Sequence, residues 1–246
     1  YVNSYPTYEL IKLIEAVVFD IDGTLVDHHL AIEKGVEEFY VEYFRDSEVG
    51  LEEFREIWEE EHDKNVKKYL DGEITFEEQR ELRVKGVFER AGKNIDEKTA
   101  REYFDFYLDA YERGWELFPD VLDCLDSLDG YRLAILSNGD SSQQRQKLRD
   151  TDIENYFEEV VISGDIGIAK PEKPVFDEIV VKVGVDHDEC VYIGDSYDVD
   201  FVGADNAGMY ACLIDRGLDV DVEFVGDNFK ISSLKYLKDI LNKYMK

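Results

Sequence analysis

The chain has 246 residues, with 28 Lys plus Arg against 58 Asp plus Glu, a formal net charge of −30. That length carries one to two domains and can bury a core without disulfide or zinc staples. Nucleic acid and anionic membrane surfaces would both meet repulsion, so neither is an expected partner. Apolar residues at 44% and aromatics at 13% exclude global disorder despite the charge.

Cys124, Cys190 and Cys212 are odd in number and widely spaced. They suggest neither a disulfide framework nor a metal site, and they fit a reducing, cytoplasmic setting. No stretch approaches the length of a membrane span. Tyr1 to Tyr8 lack a basic region followed by an apolar run, so no signal peptide is read there. A dense carboxylate surface stays hydrated at high salt and repels itself at low salt, which points to a halophilic source. The plainer alternative is an ordinary acidic cytosolic protein.

In chain order, Ile14 to Phe19 reads as a short buried strand ending at Asp20. From Leu30 to Trp115 the texture is helical. Apolar residues recur at helical spacing, as in Val36, Phe39, Tyr40, Tyr43 and Phe44, then Leu51, Phe54, Ile57 and Trp58. Breaks fall near Asp46 to Gly50, Asp71-Gly72 and Gly92 to Asp96. Thr75 with Glu78 forms a capping box. After Phe118-Pro119, strands alternate with helices. Strands are expected at Tyr131–Leu136, Glu159–Ile162, Cys190–Ile193 and Tyr210–Ile214. Helices are expected over Ser142–Arg149 and Pro174–Val183, from the fourth strand toward Ala207, and over Ser233–Tyr244. Alternation of this kind implies βαβ units and a parallel sheet, interrupted by an all-helical insert.

Four polar clusters follow four of the strands. They are Asp20-Ile21-Asp22-Gly23-Thr24, Ser137-Asn138-Gly139, Lys170-Pro171, and Gly194-Asp195-Ser196 with Asp200. Each alone has a plain reading: a solvated turn, a good turn, a surface loop, a helix cap. Together they are expected to converge, because ligands of an open parallel sheet bind beyond the strands' carboxyl ends. Asp20 and Asp195 supply hard oxygen ligands suited to Mg²⁺, which commonly bridges carboxylates to a phosphate. Ser137, Asn138 and Lys170 supply donors and positive charge for that phosphate. A carboxylate can serve as nucleophile through an aspartyl-phosphate, and a second can donate and then remove a proton.

These motifs, in this order, resemble the haloacid dehalogenase superfamily of phosphohydrolases. The resemblance rests on Asp20-Ile21-Asp22-Gly23-Thr24-Leu25, on Ser137 after Ala134-Ile135-Leu136, and on Lys170 within Ala169 to Pro174. It rests also on Gly194 to Asp200, continuing through Gly203-Ala204 and Ala207-Gly208-Met209. It implies a Rossmann-like catalytic core over 1–26 and 116–246 and a helical cap over 27–115 that closes over the leaving group. It implies that Asp20 is the nucleophile and a metal ligand. Asp22 would be the general acid/base and give its backbone carbonyl to Mg²⁺, with Asp195 the other metal ligand. Ser137 and Asn138 would hold phosphoryl oxygens and Lys170 would neutralise nucleophile and phosphate. Asp200, Thr24 and Ser196 would stand behind these, Asp200 ordering the metal's waters or the lysine and Thr24 shaping the turn with Gly23.

Family dehalogenases carry Tyr where Asp22 stands, and phosphonate-cleaving relatives carry Ala. Asp22 therefore points to ester hydrolysis, with a 2-haloacid dehalogenase as the alternative and a non-catalytic binding protein on the same fold as another. Sugar-phosphate mutases carry Thr and His where this chain has His28 and Ile32. The expected substrate is a small phosphorylated metabolite and the expected state a monomer. In the cap, His28 and His29 either face substrate or form an exposed linker. Arg80 and Arg83, three apart on one helix, could contact an anionic leaving group, but the plainer reading is a solvated face with Glu partners. Phe104, Phe106, Tyr107 and Tyr111 are read as cap core.

Overall fold

The computed structural model describes residues 13–244, so the reading of Tyr1 to Tyr8 lies outside them. The chain forms two compact units, one of residues 28–116 and the other of the segments on either side.

In the flanking unit, the strands are β1 (Ala16–Phe19), β2 (Arg132–Ser137), β3 (Glu159–Ile162), β4 (Cys190–Gly194), β5 (Tyr210–Ile214), β6 (Val222–Val225) and β7 (Asn228–Ile231). They make one α/β sheet of order β3-β2-β1-β4-β5-β7-β6, parallel except for β6 against β7. The first five strands are short apolar runs because helices cover both faces of a parallel sheet. Alternation sorts their side chains. Ala16 and Val18 of β1 face the cluster that includes Val175, Phe176, Ile179, Ala204 and Met209.

β1 has β2 on one side and β4 on the other, so the strand order reverses there. A crevice forms beyond the carboxyl ends at such a point. The β6–β7 hairpin was not expected from sequence. Its two-residue turn, Gly226-Asp227, joins Val225 to Asn228, and Gly226 takes φ 65°. That dipeptide is a hairpin signal. It is masked because Glu223, Phe224 and Val225 on the edge strand are exposed and show no buried alternation.

The unit of residues 28–116 is helical: α1 (His28–Tyr43), α2 (Leu51–Leu70), α3 (Phe76–Arg90) and α4 (Glu97–Arg113). The capping box at Thr75 is present, with Thr75 Oγ accepting from Glu78 N–H at 3.1 Å and Glu78 accepting from Thr75 N–H at 2.7 Å. Phe39, Phe44, Phe54, Trp58 and Phe88 form its aromatic core, with centroid separations such as 4.7 Å for Phe44–Phe54. Phe104, Tyr107 and Tyr111 are buried and Phe106 half-buried, as core residues of this helical unit.

The remaining helices belong to the sheet-bearing unit: α5 (Val121–Ser127), α6 (Ser141–Asp150), α7 (Ser163–Ile166), α8 (Lys173–Val183), α9 (Val202–Ala207) and α10 (Leu237–Tyr244). A π-helical turn, Tyr197–Phe201, precedes α9. A short 3-10 turn, Leu234–Tyr236, precedes α10 and begins the expected terminal helix. Among the described residues no helix is long and apolar enough to cross a membrane.

Candidate active site

The reversal of strand order brings three of the four sequence clusters together directly. Asp20 follows the last residue of β1, Ser137 ends β2, and Asp195 follows the last residue of β4. The backbone then leaves extended geometry, with Leu25 and Val26 N–H both donating to Ile21 C=O at 2.9 Å. Gly23 sits inside this turn at φ 75°. A Cβ there would lie 2.1 Å from Asp195 Oδ2. Glycine is required twice over, for the left-handed conformation and for the close approach of that carboxylate. Thr24 is fully buried behind the turn and its carbonyl accepts from Arg216 Nη2 at 3.0 Å.

Lys170 arrives from a loop, yet it is 5% exposed. Its Nζ lies 2.9 Å from Asp20 Oδ1 and 2.7 Å from Asp200 Oδ1. It also donates to the Tyr192 hydroxyl at 2.8 Å. Asn138 holds the lysine's backbone, its Nδ2 donating to Lys170 C=O at 3.1 Å and its Oδ1 accepting from Lys170 N–H at 2.9 Å. The Asn138 side chain thus secures the lysine loop, a use different from the expected grip on phosphate. Asp200 Oδ2 accepts from Ser196 N–H at 3.0 Å, so this carboxylate ties Lys170 to the turn that carries Asp195.

Tyr192 was missed in the sequence. It is the polar interruption in the strand Cys-Val-Tyr-Ile-Gly, and every residue of that strand is buried. A buried phenol must find partners. Its hydroxyl reaches Leu136 C=O at 2.9 Å and Asp200 Oδ1 at 3.1 Å.

Asp20, Asp195 and Asp200 each offer a carboxylate oxygen, all within 4.8 Å of one another. Burial, opposed by Lys170 and reinforced by Asp200 and Asp22, pushes Asp20 up to about 6. Loss of water around its carboxyl, then the charges of Asp20 and Asp200, push Asp195 up to about 7. Three carboxylates share one ammonium, which leaves excess negative charge. Asp20 Oδ1 is buried and accepts no well-formed hydrogen bond despite its closeness to Lys170. An under-satisfied carboxylate oxygen in an all-oxygen donor set fits a hard divalent cation.

Asp22 stands apart from that cluster in its partners. Its Oδ2 accepts from Gln144 Nε2 at 2.7 Å and its Oδ1 is paired with Lys147 Nζ, both from α6. Gln144 Nε2 also lies 3.3 Å from Ser137 Oγ. Neither α6 residue was singled out in the sequence.

The helical unit corrects one expectation. Arg83 is 5% exposed, not on a solvated face, and its Nη2 donates to Gln79 Oε1 at 2.9 Å. Its guanidinium lies over the Trp58 and Phe104 rings at 5.9 and 5.4 Å. Burial pulls it down to about 10, and burial with the Arg83 charge pulls nearby His62 down to about 4. Arg80 stacks on Phe76 at 4.3 Å. His28 begins α1 half-buried, with Nδ1 3.0 Å from the Tyr111 hydroxyl, while His29 is exposed.

Comparison with known proteins agrees with this geometry. The haloacid dehalogenase-like hydrolase family matches residues 14–208. The chain is 29% identical to a glyceraldehyde 3-phosphate phosphatase of Methanopyrus kandleri over 95% of this chain and 100% of that one. It is 30% identical to the pyrimidine 5'-nucleotidase YjjG of Escherichia coli over 51% of this chain and 57% of that one. The HAD-hydrolase YfnB of Bacillus subtilis shares the fold, with TM-score 0.75 at 22% identity over 94% of this chain and 100% of that one. With most of its length matched and full-length likeness to a phosphatase, the chain belongs to the haloacid dehalogenase-like hydrolase family, as an enzyme of its phosphatase type.

Proposed function

We propose that this enzyme hydrolyses a small phosphomonoester in two steps through phospho-Asp20, with Mg²⁺. The observation that carries the reading is the division of labour between two carboxyls two residues apart. Asp20 is paired with Lys170, whereas Asp22 is held by Gln144 and Lys147. In the first step an Asp20 carboxylate oxygen bonds to phosphorus as the ester bond breaks. The leaving alkoxide takes a proton from Asp22. In the second step Asp22 takes a proton from water as its oxygen attacks phosphorus, and the acyl-phosphate bond breaks to free phosphate and Asp20. Lys170, the Ser137 hydroxyl and the Asn138 backbone offset charge on the phosphoryl oxygens. Mg²⁺ would be held by the Asp20 and Asp195 carboxylates and the Asp22 carbonyl, and would supply further charge neutralisation there. Asp200, Thr24 and Ser196 support these groups from behind.

The curated relatives named above act on a triose phosphate and on nucleotides, which are small phosphomonoesters. A substrate of that class, a cytoplasmic setting, a monomer and a halophilic source complete the proposal. Phosphate release from p-nitrophenyl phosphate, with Mg²⁺ and with EDTA, at low and molar KCl, tests it. Mg²⁺-dependent release that persists in molar KCl is expected. Halide release from 2-chloropropionate without phosphate release would establish the dehalogenase instead.

The metal assignment has a second readout in stability. Asp20 and Asp195 are raised above their unfolded values, so the native state keeps protons that unfolded carboxyls have already released. The stability this confers is complete below about pH 4 and is lost as pH rises through about 6 to 7. Metal-free protein should therefore lose about 2–5 °C of Tm between about pH 5 and pH 8. Mg²⁺ competes with those protons, so it should raise Tm more at the higher pH, and Asp195→Asn should flatten both trends. Equal Mg²⁺ shifts at the two pH values in differential scanning fluorimetry would remove these carboxylates as the ligands.

A further inference from the structure

The buried face of α6 is polar. Over Ser141–Asp150 the buried residues are Gln144, Lys147 and Leu148. Asp140 caps the helix, accepting from Gln143 N–H at 3.0 Å, and so fixes its start against the loop after β2. Gln144 and Lys147, three residues apart, then project from one side. Arg145 and Arg149 on the same helix are not buried, but Lys147 is only 1% exposed. Removing an ammonium from water is costly unless a carboxylate answers it. Here the answer is Asp22, 125 residues away in sequence.

Gln144 carries a similar cost. Its Oε1 is buried with no hydrogen-bond partner, which destabilises the fold. Its Nε2 meanwhile serves three acceptors: Asp22 Oδ2 at 2.7 Å, the Asn138 carbonyl at 3.0 Å and Ser137 Oγ at 3.3 Å. The amide is placed for its donor end, which links Asp22 to the end of β2. Asp22 itself remains 27% exposed, open to a reacting group. A helix that exists only to cover the sheet would present Leu or Val at these two positions.

We propose that Gln144 and Lys147 are the positioning residues of Asp22, holding its carboxyl where it meets the oxygen of the departing alcohol. The inference rests on the acid/base role proposed for Asp22. Donors on both carboxyl oxygens restrict rotation about the Asp22 side chain, so the proton is delivered from a fixed place. Without them Asp22 would still be present, but its carboxyl would no longer be held at the phosphate, and proton transfer depends on hydrogen-bond reach. The signature is selective, because a good leaving group needs no proton and a poor one does.

The test compares phenyl phosphate with p-nitrophenyl phosphate, alike in shape and different in leaving-group acidity, with Mg²⁺ present. Lys147→Met should lower kcat for phenyl phosphate by about 10²-fold and for p-nitrophenyl phosphate by about tenfold or less. Gln144→Leu should show the same asymmetry at smaller size, and Lys147→Arg should recover part of the loss. Added to Asp22→Asn, Lys147→Met should cost little more, since both act on one group. Equal losses on the two substrates in Lys147→Met and Gln144→Leu, with Asp22→Asn still asymmetric, overturn the positioning role alone. Equal losses in Asp22→Asn overturn the acid/base role and this inference with it. Crystal structures give a readout independent of turnover: the Asp22 carboxyl should leave its place in Lys147→Met, and an unmoved carboxyl in both α6 variants overturns the proposal.

Discussion

Asp20→Asn is expected to leave less than about a thousandth of wild-type phosphate release, a loss of about 4 kcal/mol of barrier lowering. The substitution keeps the shape of the side chain and replaces the anionic oxygen that would bond to phosphorus with a weakly nucleophilic amide. It also removes a charge that is already costly to hold, since burial raises this carboxyl toward neutrality. Folding should therefore be nearly unaffected, and a normal thermal transition in the variant makes the activity result readable. Acid quenching gives an independent check. Wild-type protein mixed with phosphorus-labelled substrate should retain a hydroxylamine-labile label, and Asp20→Asn should retain none. Turnover above a tenth of wild type would sink the nucleophile assignment and shift attention to water attack directed by Asp195.

Much of this site can be read from sequence because its parts are tied to strand ends. Asp20 and Asp195 follow β1 and β4 and Ser137 closes β2, and all three strands are short apolar runs bounded by polar residues. A parallel sheet then forces those ends together. The helical insert is legible for a similar reason, since Phe39, Tyr43 and Phe44 or Phe54 and Trp58 repeat at helical spacing between evident breaks. What is hidden depends on tertiary burial of polar residues. Lys147 and Gln144 lie in a helix of composition Ser-Ser-Gln-Gln-Arg-Gln-Lys-Leu-Arg-Asp, where only Leu148 marks an inner face. Three basic side chains there are equivalent until one of them meets Asp22. Tyr192 is hidden as an ordinary strand aromatic, and Arg83 as an ordinary surface base three residues from Arg80. Asn138 is found by its motif, but the motif does not show that its amide closes on the Lys170 backbone.

Lys170→Met should destabilise the protein and abolish turnover, and the two effects are separable. The ammonium lies between Asp20 and Asp200, with both ion pairs withdrawn from water. Removing one partner of a buried pair leaves an uncompensated charge, at a cost of about 3–5 kcal/mol. For a chain of this length that is a fall in Tm of about 6–20 °C. Part of the cost should be relieved by proton uptake, because Asp20 is already shifted toward its neutral form and loses the cation that opposed the shift. Replacing Asp200 as well, in Lys170→Met with Asp200→Asn, removes the stranded carboxylate that had only structural partners in the lysine, Tyr192 and Ser196 N–H. The double variant should regain a good part of the lost Tm. It should regain none of the activity, because the Lys170 ammonium that would offset charge on nucleophile and phosphate is still missing beside Asp20. Activity that returns together with stability in the double variant would show that Lys170 serves the fold and that phosphate is met by other groups.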